Sequence, residues 1–220
     1  MHRVEFCTTI LETHSTFSNC VFTDECTVQI DSSTKYCFVK PGDQYARMRN
    51  RAKHPAKVHI WGGISTRGAT ALIILPGTTR IDSALYCKMI ERAYVPFNHQ
   101  KFNVKKEIRI SLFGFAQLVQ DNAPCHKSQA TLRRFDELGV TYLHWPAESP
   151  DLNPIELVWG NMKTHIRKQC VRNLDDLKQS IIQYWRSLTP DVCSRYIAGM
   201  RKKLERVVEQ GGRNILEGKK

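Results

Sequence analysis

The sequence lacks long hydrophobic runs, paired cysteines and internal repeats. None of its apolar stretches approaches the roughly 20 residues of a membrane-spanning helix, and its first residues lack the apolar core of a signal peptide. Its eight cysteines form no CxxC pair and no zinc-ligand spacing, which argues against a structural zinc site and against a disulfide framework. We therefore expect an intracellular protein of a reducing compartment, with no membrane partner.

Acidic residues are few compared with basic ones. The chain has 33 Lys and Arg against 21 Asp and Glu, a formal net charge of +12. The excess is concentrated, with a net +8 in residues 161–220 and +5 in residues 40–57. Separate clusters of this kind are either ordinary solvated surface or a binding surface for a polyanion such as nucleic acid. The candidates for contact with a DNA backbone are Arg47, Arg49, Arg51, Lys53, Lys163, Arg167 and Lys168.

Hydrophobic periodicity predicts strands first and then an alternation of strands and helices. Alternating or short apolar runs predict strands over 20–31, 35–40, 58–65, 69–75, 116–120 and 140–143, with a hairpin turn at 66–68. Helical spacing predicts helices over 83–94, 126–138, 154–168, 174–188 and 193–207, whereas 98–113 is irregular. The expected fold is α/β, a mixed sheet with helices on its faces and further C-terminal helices, in an order that resembles ribonuclease H-like nucleases.

Three acids from distant segments lie where such a sheet can bring them together. Asp24 falls on the apolar side of its predicted strand, Asp121 follows a short buried strand, and Glu156 lies in the first turn of a helix. Between Asp121 and Glu156 there are 34 residues. Converging carboxylates repel each other unless cations lie between them, so the pattern predicts a divalent metal site and phosphate chemistry.

Each acid also has a simpler explanation. Asp24 could pair with a neighbouring Lys or Arg, and Asp121 with Asn122 could form an ordinary turn after a strand. Glu156 follows Asn153 by three residues and therefore matches a capping box, in which its side chain would bind the cap amide.

The sequences of four segments distinguish the metal-site interpretation from these simpler explanations. Residues 22–25 (FTDE), 58–65 (VHIWGGIS), 120–126 (QDNAPCH) and 145–156 (WPAESPDLNPIE) closely resemble the catalytic domain of mariner-superfamily (Tc-type) DDE transposases. The resemblance extends from about residue 20 to about residue 190. The 34-residue gap and the final Glu match the Tc branch of that family.

The resemblance implies a ribonuclease H-like fold in which Asp24, Asp121 and Glu156 bind the metal and carry the catalysis. Asn122, His126 and Asn153 would shape the site. The implied cofactor is Mg²⁺ or Mn²⁺, as two ions, and the implied activity is cut-and-paste transposition in the nucleus. In that reaction double-stranded transposon ends are hydrolysed and the freed 3′-hydroxyl attacks a TA target. A homodimer would bring the two ends together.

The same resemblance suggests three segments: a lead-in over 1–19, the catalytic domain over 20–170 and a basic helical extension over 171–220. Asp24 lies only 23 residues after Met1, so we expect no helix-turn-helix modules and no sequence-specific reading of transposon ends. Two functions are therefore consistent with the sequence. One is a domain that cleaves and transfers DNA strands, and the other is a catalytically idle remnant that binds DNA without sequence preference. A ribonuclease acting on RNA is a weaker third, which the motif over 149–160 disfavours.

Overall fold

A six-stranded mixed sheet forms the centre of the protein. The computed structural model describes residues 2–13, 15–30, 55–102, 116–169 and 171–215. The strand order is β3-β2-β1-β5-β6, and β4 also pairs with β2. The strands are β1 (Cys20–Gln29), β2 (Lys57–Ser65), β3 (Gly68–Ala69), β4 (Ile73–Pro76), β5 (Gln117–Val119) and β6 (Tyr142–Leu143). Strands β1, β5 and β6 run parallel, and the others pair antiparallel.

Helices cover both faces of this sheet. They are α1 (Arg3–Glu12), α2 (Ser83–Met89), a π-helical turn (Ile90–Tyr94), α3 (Val95–Phe102), α4 (Pro124–Lys127), α5 (Gln129–Leu138), a 3₁₀ turn (Pro150–Leu152), α6 (Ile155–Arg167), α7 (Leu174–Arg186), α8 (Pro190–Ala198) and α9 (Met200–Glu209). Many begin at side chains that accept from a first-turn amide. Asn173 does so for α7 and Thr189, followed by Pro190, for α8.

The alternation along β1 separates two hydrophobic cores. Phe22, Cys26 and Val28 face the core that α1 and α6–α9 complete, whereas Val21 faces the core of α2, α3 and α5. A strand buried on both sides must carry apolar residues on both, and β1 does so along its first half. The predicted α/β class, a mixed sheet with flanking helices and additional C-terminal helices, is confirmed.

Two predicted elements are longer or more divided than expected. The predicted strand 69–75 is two short strands: the Thr70 amide still donates to the Gly63 carbonyl (2.9 Å), but the Thr70 carbonyl accepts the indole N–H of Trp185 (2.8 Å) instead of pairing with β2. The helix predicted over 83–94 continues through a π-helical turn to Phe102, so 98–102 is not irregular. Tyr94 and Asn98 explain this, since both hydrogen-bond the backbone of Ala116, just before β5 (2.6 and 3.0 Å).

Two predicted helices are each interrupted by one residue. Ser128 is extended and divides 124–138 into α4 and α5, because its hydroxyl accepts from the Thr131 amide (3.1 Å) and caps the second helix. Gly139 ends that helix in the left-handed conformation (φ 64°), as predicted. Gly199 separates α8 from α9 within the predicted helix 193–207.

Several predictions fall outside the described residues. They are the strand over 35–40, the part of the irregular segment over 103–113, and the basic candidates Arg47, Arg49, Arg51 and Lys53. The division at 19 and 170 stays a prediction. The first segment contains α1, which packs against α9, and the last contains α7–α9. In the ranges that the structure describes, no helix is long and apolar enough to cross a membrane.

We predict that Gly62→Ala destabilises the protein. Gly62 lies opposite Asp24 in the β1–β2 ladder, and a Cβ there would come within 2.6 Å of the Trp185 ring. That indole cannot move easily because it stacks on Trp159, with ring centroids 5.4 Å apart. We expect a loss of about 1–3 kcal/mol in the free energy of unfolding, measured by denaturant titration. Gly160→Ala is the matched control: its Cβ would meet nothing within 4 Å, so stability should hold or rise.

Candidate active site

Asp24 is a carboxylate on the apolar face of the central strand. Burial, and then the negative charges of Glu25 and Glu156 with a hydrogen bond to Glu156, raise the pKa of Asp24 to about 8. The charges acting on it most strongly are thus carboxylates. This disfavours the simpler explanation that Asp24 pairs with a neighbouring Lys or Arg. A carboxyl group held in this way either keeps its proton or needs a cation beside it.

Glu156 enters the site from the first turn of α6. Just before this helix, Asn153 donates from Nδ2 to the carbonyl of Thr23 (3.3 Å), which ties the helix start to β1 beside Asp24. Oδ1 of Asn153 accepts from the Ile155 amide (3.4 Å), but the backbone amide of Asn153 donates to the carbonyl of Pro150 (2.9 Å) and not to Glu156, so the capping-box interpretation of Glu156 is wrong. Helix α6 begins at Ile155, one residue later than predicted. The Glu156 side chain instead reaches Asp24.

Asp121 follows β5, which lies beside β1 in the sheet. Its Oδ1 accepts from the Ala123 amide (2.9 Å), so the turn interpretation of this residue also holds. The same oxygen lies 2.7 Å from Nδ1 of His126. The hydrogen bond from His126, despite partial burial, lowers the pKa of Asp121. Asn122 donates to the carbonyl of Trp145 (3.0 Å), which fixes the turn against the segment that leads to Glu156.

His126 is the buried cation of the site. Its Nε2 lies 3.3 Å from Oε1 of Glu25, and its ring is 4.0 Å from that of Tyr86. Burial lowers the pKa of His126, but hydrogen bonds to Asp121 and Glu25, and their charges, outweigh it and raise the pKa to about 10. His126 therefore carries a positive charge at neutral pH and is neither a cysteine-activating base nor an exposed helix cap.

Glu25, Tyr86 and Trp145 also belong to this site, although the sequence did not indicate them. Glu25 points to the opposite face of β1 from Asp24, as the alternation predicted, but that face is where α4 places His126. The two adjacent acids, Asp24 and Glu25, were the sequence feature that could have indicated a role for Glu25. They are separated by the sheet, and each meets a different partner.

One cavity of about 490 Å³ joins the predicted residues. Its lining includes Asp24, Asp121, Glu156, Asn122 and Asn153. Within the ranges described, no group of three His, Cys, Asp or Glu side chains is arranged to hold one ion. This agrees with the partnership of Asp121 and His126. The Asp24–Glu156 pair fits Mg²⁺ or Mn²⁺, because Mg²⁺ binds through one or two carboxylates and completes its shell with water and phosphate oxygens.

The basic candidates of α6 lie next to this pair. Burial raises the pKa of the Cys26 thiol, Lys163 lowers it, and Asp24 and Glu156 raise it, so these three charged groups lie around the same thiol. Lys163 and Arg167 line a second cavity of about 300 Å³ at the end of β1. Lys168 is exposed at the end of α6. Positive charge thus extends from the acid pair along α6.

Comparisons with known proteins agree with this arrangement. The family described as DDE superfamily endonuclease matches residues 19–178. The Tc3 transposase of Caenorhabditis elegans is 33% identical over 98 residues, which cover 44% of this chain and 30% of that protein. The Tcb1 transposase of Caenorhabditis briggsae is 26% identical over 155 residues, covering 70% and 52%. The chain therefore spans about a third to a half of these relatives.

Solved structures show the same fold. The Mos1 mariner paired end complex with Mn matches with a TM-score of 0.79 and 18% identity, covering 96% of this chain and 62% of that one. The catalytic domain of Mos1 mariner transposase matches with a TM-score of 0.74 and 18% identity, covering 97% and 93%. The ribonuclease H-like expectation is confirmed by these matches.

We predict that Asp24→Asn stabilises the metal-free protein at alkaline pH. The folded pKa of Asp24 is about 8 and its ordinary value is 3.8, so the folded state holds a proton that the unfolded chain has lost. Wild-type stability should fall across this interval as pH rises, whereas the variant avoids the loss and should be more stable by about 2 kcal/mol at pH 9. Denaturant titration at several pH values measures the difference.

His126 also loses its proton at alkaline pH, but it does so in wild type and in Asp24→Asn alike. It therefore does not contribute to the difference in stability between them. Asp136→Asn, the same change at an exposed position, should show no such pH-dependent gain. Equal pH profiles for wild type and Asp24→Asn would contradict the burial argument.

Proposed function

The chain belongs to the DDE superfamily endonucleases and resembles the catalytic domain of Tc/mariner transposases, and on this premise we propose that it cleaves DNA strands and transfers them. The observation that carries the proposal is the Asp24–Glu156 pair, a half-buried carboxyl beside an exposed one, in a cavity that Asp121 also lines. Two carboxylates this close repel each other, and the partial burial of Asp24 adds to the cost, unless a cation binds beside them.

Asp24 and Glu156 would hold one divalent ion, and Asp121, at the rim of the same cavity, would take part in a second. When bound, Mg²⁺ or Mn²⁺ supplies Lewis-acid polarisation of a phosphate ester and activation of the attacking water or hydroxyl. Solved complexes of Mos1 with Mg and with Mn support this choice of ion. His126 keeps Asp121 ionised, because a positive charge beside it lowers the pKa of that carboxyl.

Double-stranded DNA would approach along α6. Lys163 stands two helical turns beyond Glu156 on the same side of the helix, and Arg167 shares the second cavity with it. Cationic side chains at this spacing suit consecutive phosphates and contribute affinity without sequence preference. The Mos1 neighbours include a paired end complex with a left transposon end, which supports DNA as the partner.

The proposal for the biological process, the substrates and the assembly rests on the same relatives. We propose DNA transposition, with transposon ends and a TA target as substrates, a homodimer that holds two ends together, and a nuclear location. The paired-end complexes of Mos1 favour the dimer.

Substitution of the acids should abolish chemistry and spare DNA binding. With Mn²⁺ and a pre-cut transposon end carrying a 3′-hydroxyl, wild type should nick or join DNA, and Asp121→Asn and Glu156→Gln should lose at least about 100-fold in rate. Gel assays of product formation measure this, and an unaltered thermal unfolding profile shows that each variant is folded.

A folded wild-type protein that binds DNA but neither nicks nor joins it under these conditions would sink the proposal. That result would favour the catalytically idle remnant. Cleavage of an RNA–DNA hybrid in preference to DNA would favour the ribonuclease instead.

The α6 cations should determine part of the salt dependence of DNA binding. Each phosphate contact contributes about −0.9 to the slope of log affinity against log salt, so Lys163→Met with Arg167→Met should reduce the slope by about 2. Lys88→Met, exposed on α2 across the sheet, is the control and should leave the slope unchanged. Fluorescence anisotropy between 50 and 200 mM salt, roughly the range in which such slopes are resolved, is the measurement. An unchanged slope in the double variant would exclude α6 from the DNA surface.

A further inference from the structure

Helix α1 contacts the segment that leads to Glu156 and, through Trp145 of that segment, is linked to the turn that follows Asp121. The ring of Phe6 packs edge-on against Trp145, with centroids 5.1 Å apart. The backbone carbonyl of Trp145 accepts from the side chain of Asn122, the neighbour of Asp121. The indole of Trp145 donates to the carbonyl of Ser149 (3.4 Å), in the segment before Glu156. One tryptophan thus links α1 to the turn after Asp121 and to the segment before Glu156.

A buried ion pair makes the second connection. Arg3 of α1 pairs with Oδ2 of Asp151, and the two side chains are only 10% and 11% exposed. The same Oδ2 accepts from the backbone amide of Ile215 (2.7 Å), beyond α9. Lys203 of α9 donates to the carbonyl of Asp151 (3.0 Å). Asp151 therefore joins α1, α9 and the segment after α9 at one point.

The position of Asp151 explains why this matters for the site. It lies in the 3₁₀ turn Pro150–Leu152, where Leu152 is fully buried. Next comes Asn153, which is tied to β1 through Thr23, and then α6. The turn is held by the core on one side and by Asp151 on the other, so a shift of Asp151 moves the first turn of α6, where Glu156 stands.

We propose that Arg3 and Asp151 are positioning residues for the metal site, acting through the 3₁₀ turn to hold Glu156 against Asp24. This inference rests on the proposed function insofar as the site binds a divalent ion. The pair acts on Glu156 through the turn.

The chemistry of the pair indicates how it will respond to substitution. Within the described residues, Nε and Nη1 of Arg3 and Oδ1 of Asp151 have no hydrogen-bond partner, so the Arg3 charge depends on Asp151, whereas Asp151 also has the Ile215 amide and the nearby Lys203. Removing one partner leaves an unpaired buried charge, whereas removing both does not. The two single substitutions should therefore each displace the turn, and the double substitution should do no more harm than either alone.

The first test measures Mn²⁺ binding to the full chain by calorimetry. Arg3→Met and Asp151→Asn should each weaken the affinity about 5- to 10-fold, and the double variant should weaken it no further. Arg134→Met is the matched control, because Arg134 of α5 forms ion pairs with Glu91, in the π-helical turn, and with Glu137, also on α5. Ile181→Ala, in the core at α7, controls for lost stability. Both controls should bind Mn²⁺ like wild type.

The second test needs no metal. In NMR spectra of the metal-free chain, the Glu156 backbone amide and the Asn153 side-chain amide should shift in Arg3→Met and Asp151→Asn, and stay in place in the two controls. Unshifted signals, or Mn²⁺ affinities equal to wild type in the single variants, would overturn the positioning role. A wild type that binds no Mn²⁺ while these signals shift would overturn the metal site of the proposed function and leave the positioning role supported.

Discussion

The burial of the Asp24 carboxyl on the central strand is the constraint on which the site depends. A carboxylate on the apolar face of β1 is costly, and Glu156 beside it adds a second negative charge. The surrounding structure keeps both acids in place rather than separating them: Gly62 lets Trp185 pack against β2 opposite Asp24, and Asn153 fastens the start of α6 to β1. A divalent cation resolves the repulsion that this arrangement creates, which is why the geometry favours metal-assisted phosphate chemistry.

The sheet divides the negative charge of the site between two faces. Asp24 meets Glu156 on the side of α6, whereas Glu25 meets His126 on the side of α4. Asp121, at the end of the neighbouring parallel strand, lies between these two groups and already has the charge of His126 beside it. The site thus combines the Asp24–Glu156 pair, which needs a cation, with Asp121, which already has His126 beside it. Lys163 extends positive charge along α6.

Much of this could be predicted because the relevant signals are local. The alternation in β1 placed Asp24 and Glu25 on opposite faces, and the apolar run before Asp121 placed that acid at a strand end. Other elements were misjudged because tertiary contacts decided them. The helix after Ser83 continues to Phe102 because Tyr94 and Asn98 bind the backbone before β5, and the strand after Gly68 divides because Thr70 binds Trp185. No periodicity within these segments contains that information.

By itself, the sequence determined the order of the elements, the three acids and the family that they resemble. It left the role of Glu156 open, since a capping box and a site residue have the same spacing. Only the tertiary structure decided between them, because the cap amide of Asn153 is taken by Pro150 while the Glu156 side chain reaches Asp24. The pairs Glu25–His126 and Arg3–Asp151 were equally undetermined, being 101 and 148 residues apart. Periodicity specifies which face a side chain occupies, but the path of the whole chain specifies what it meets there.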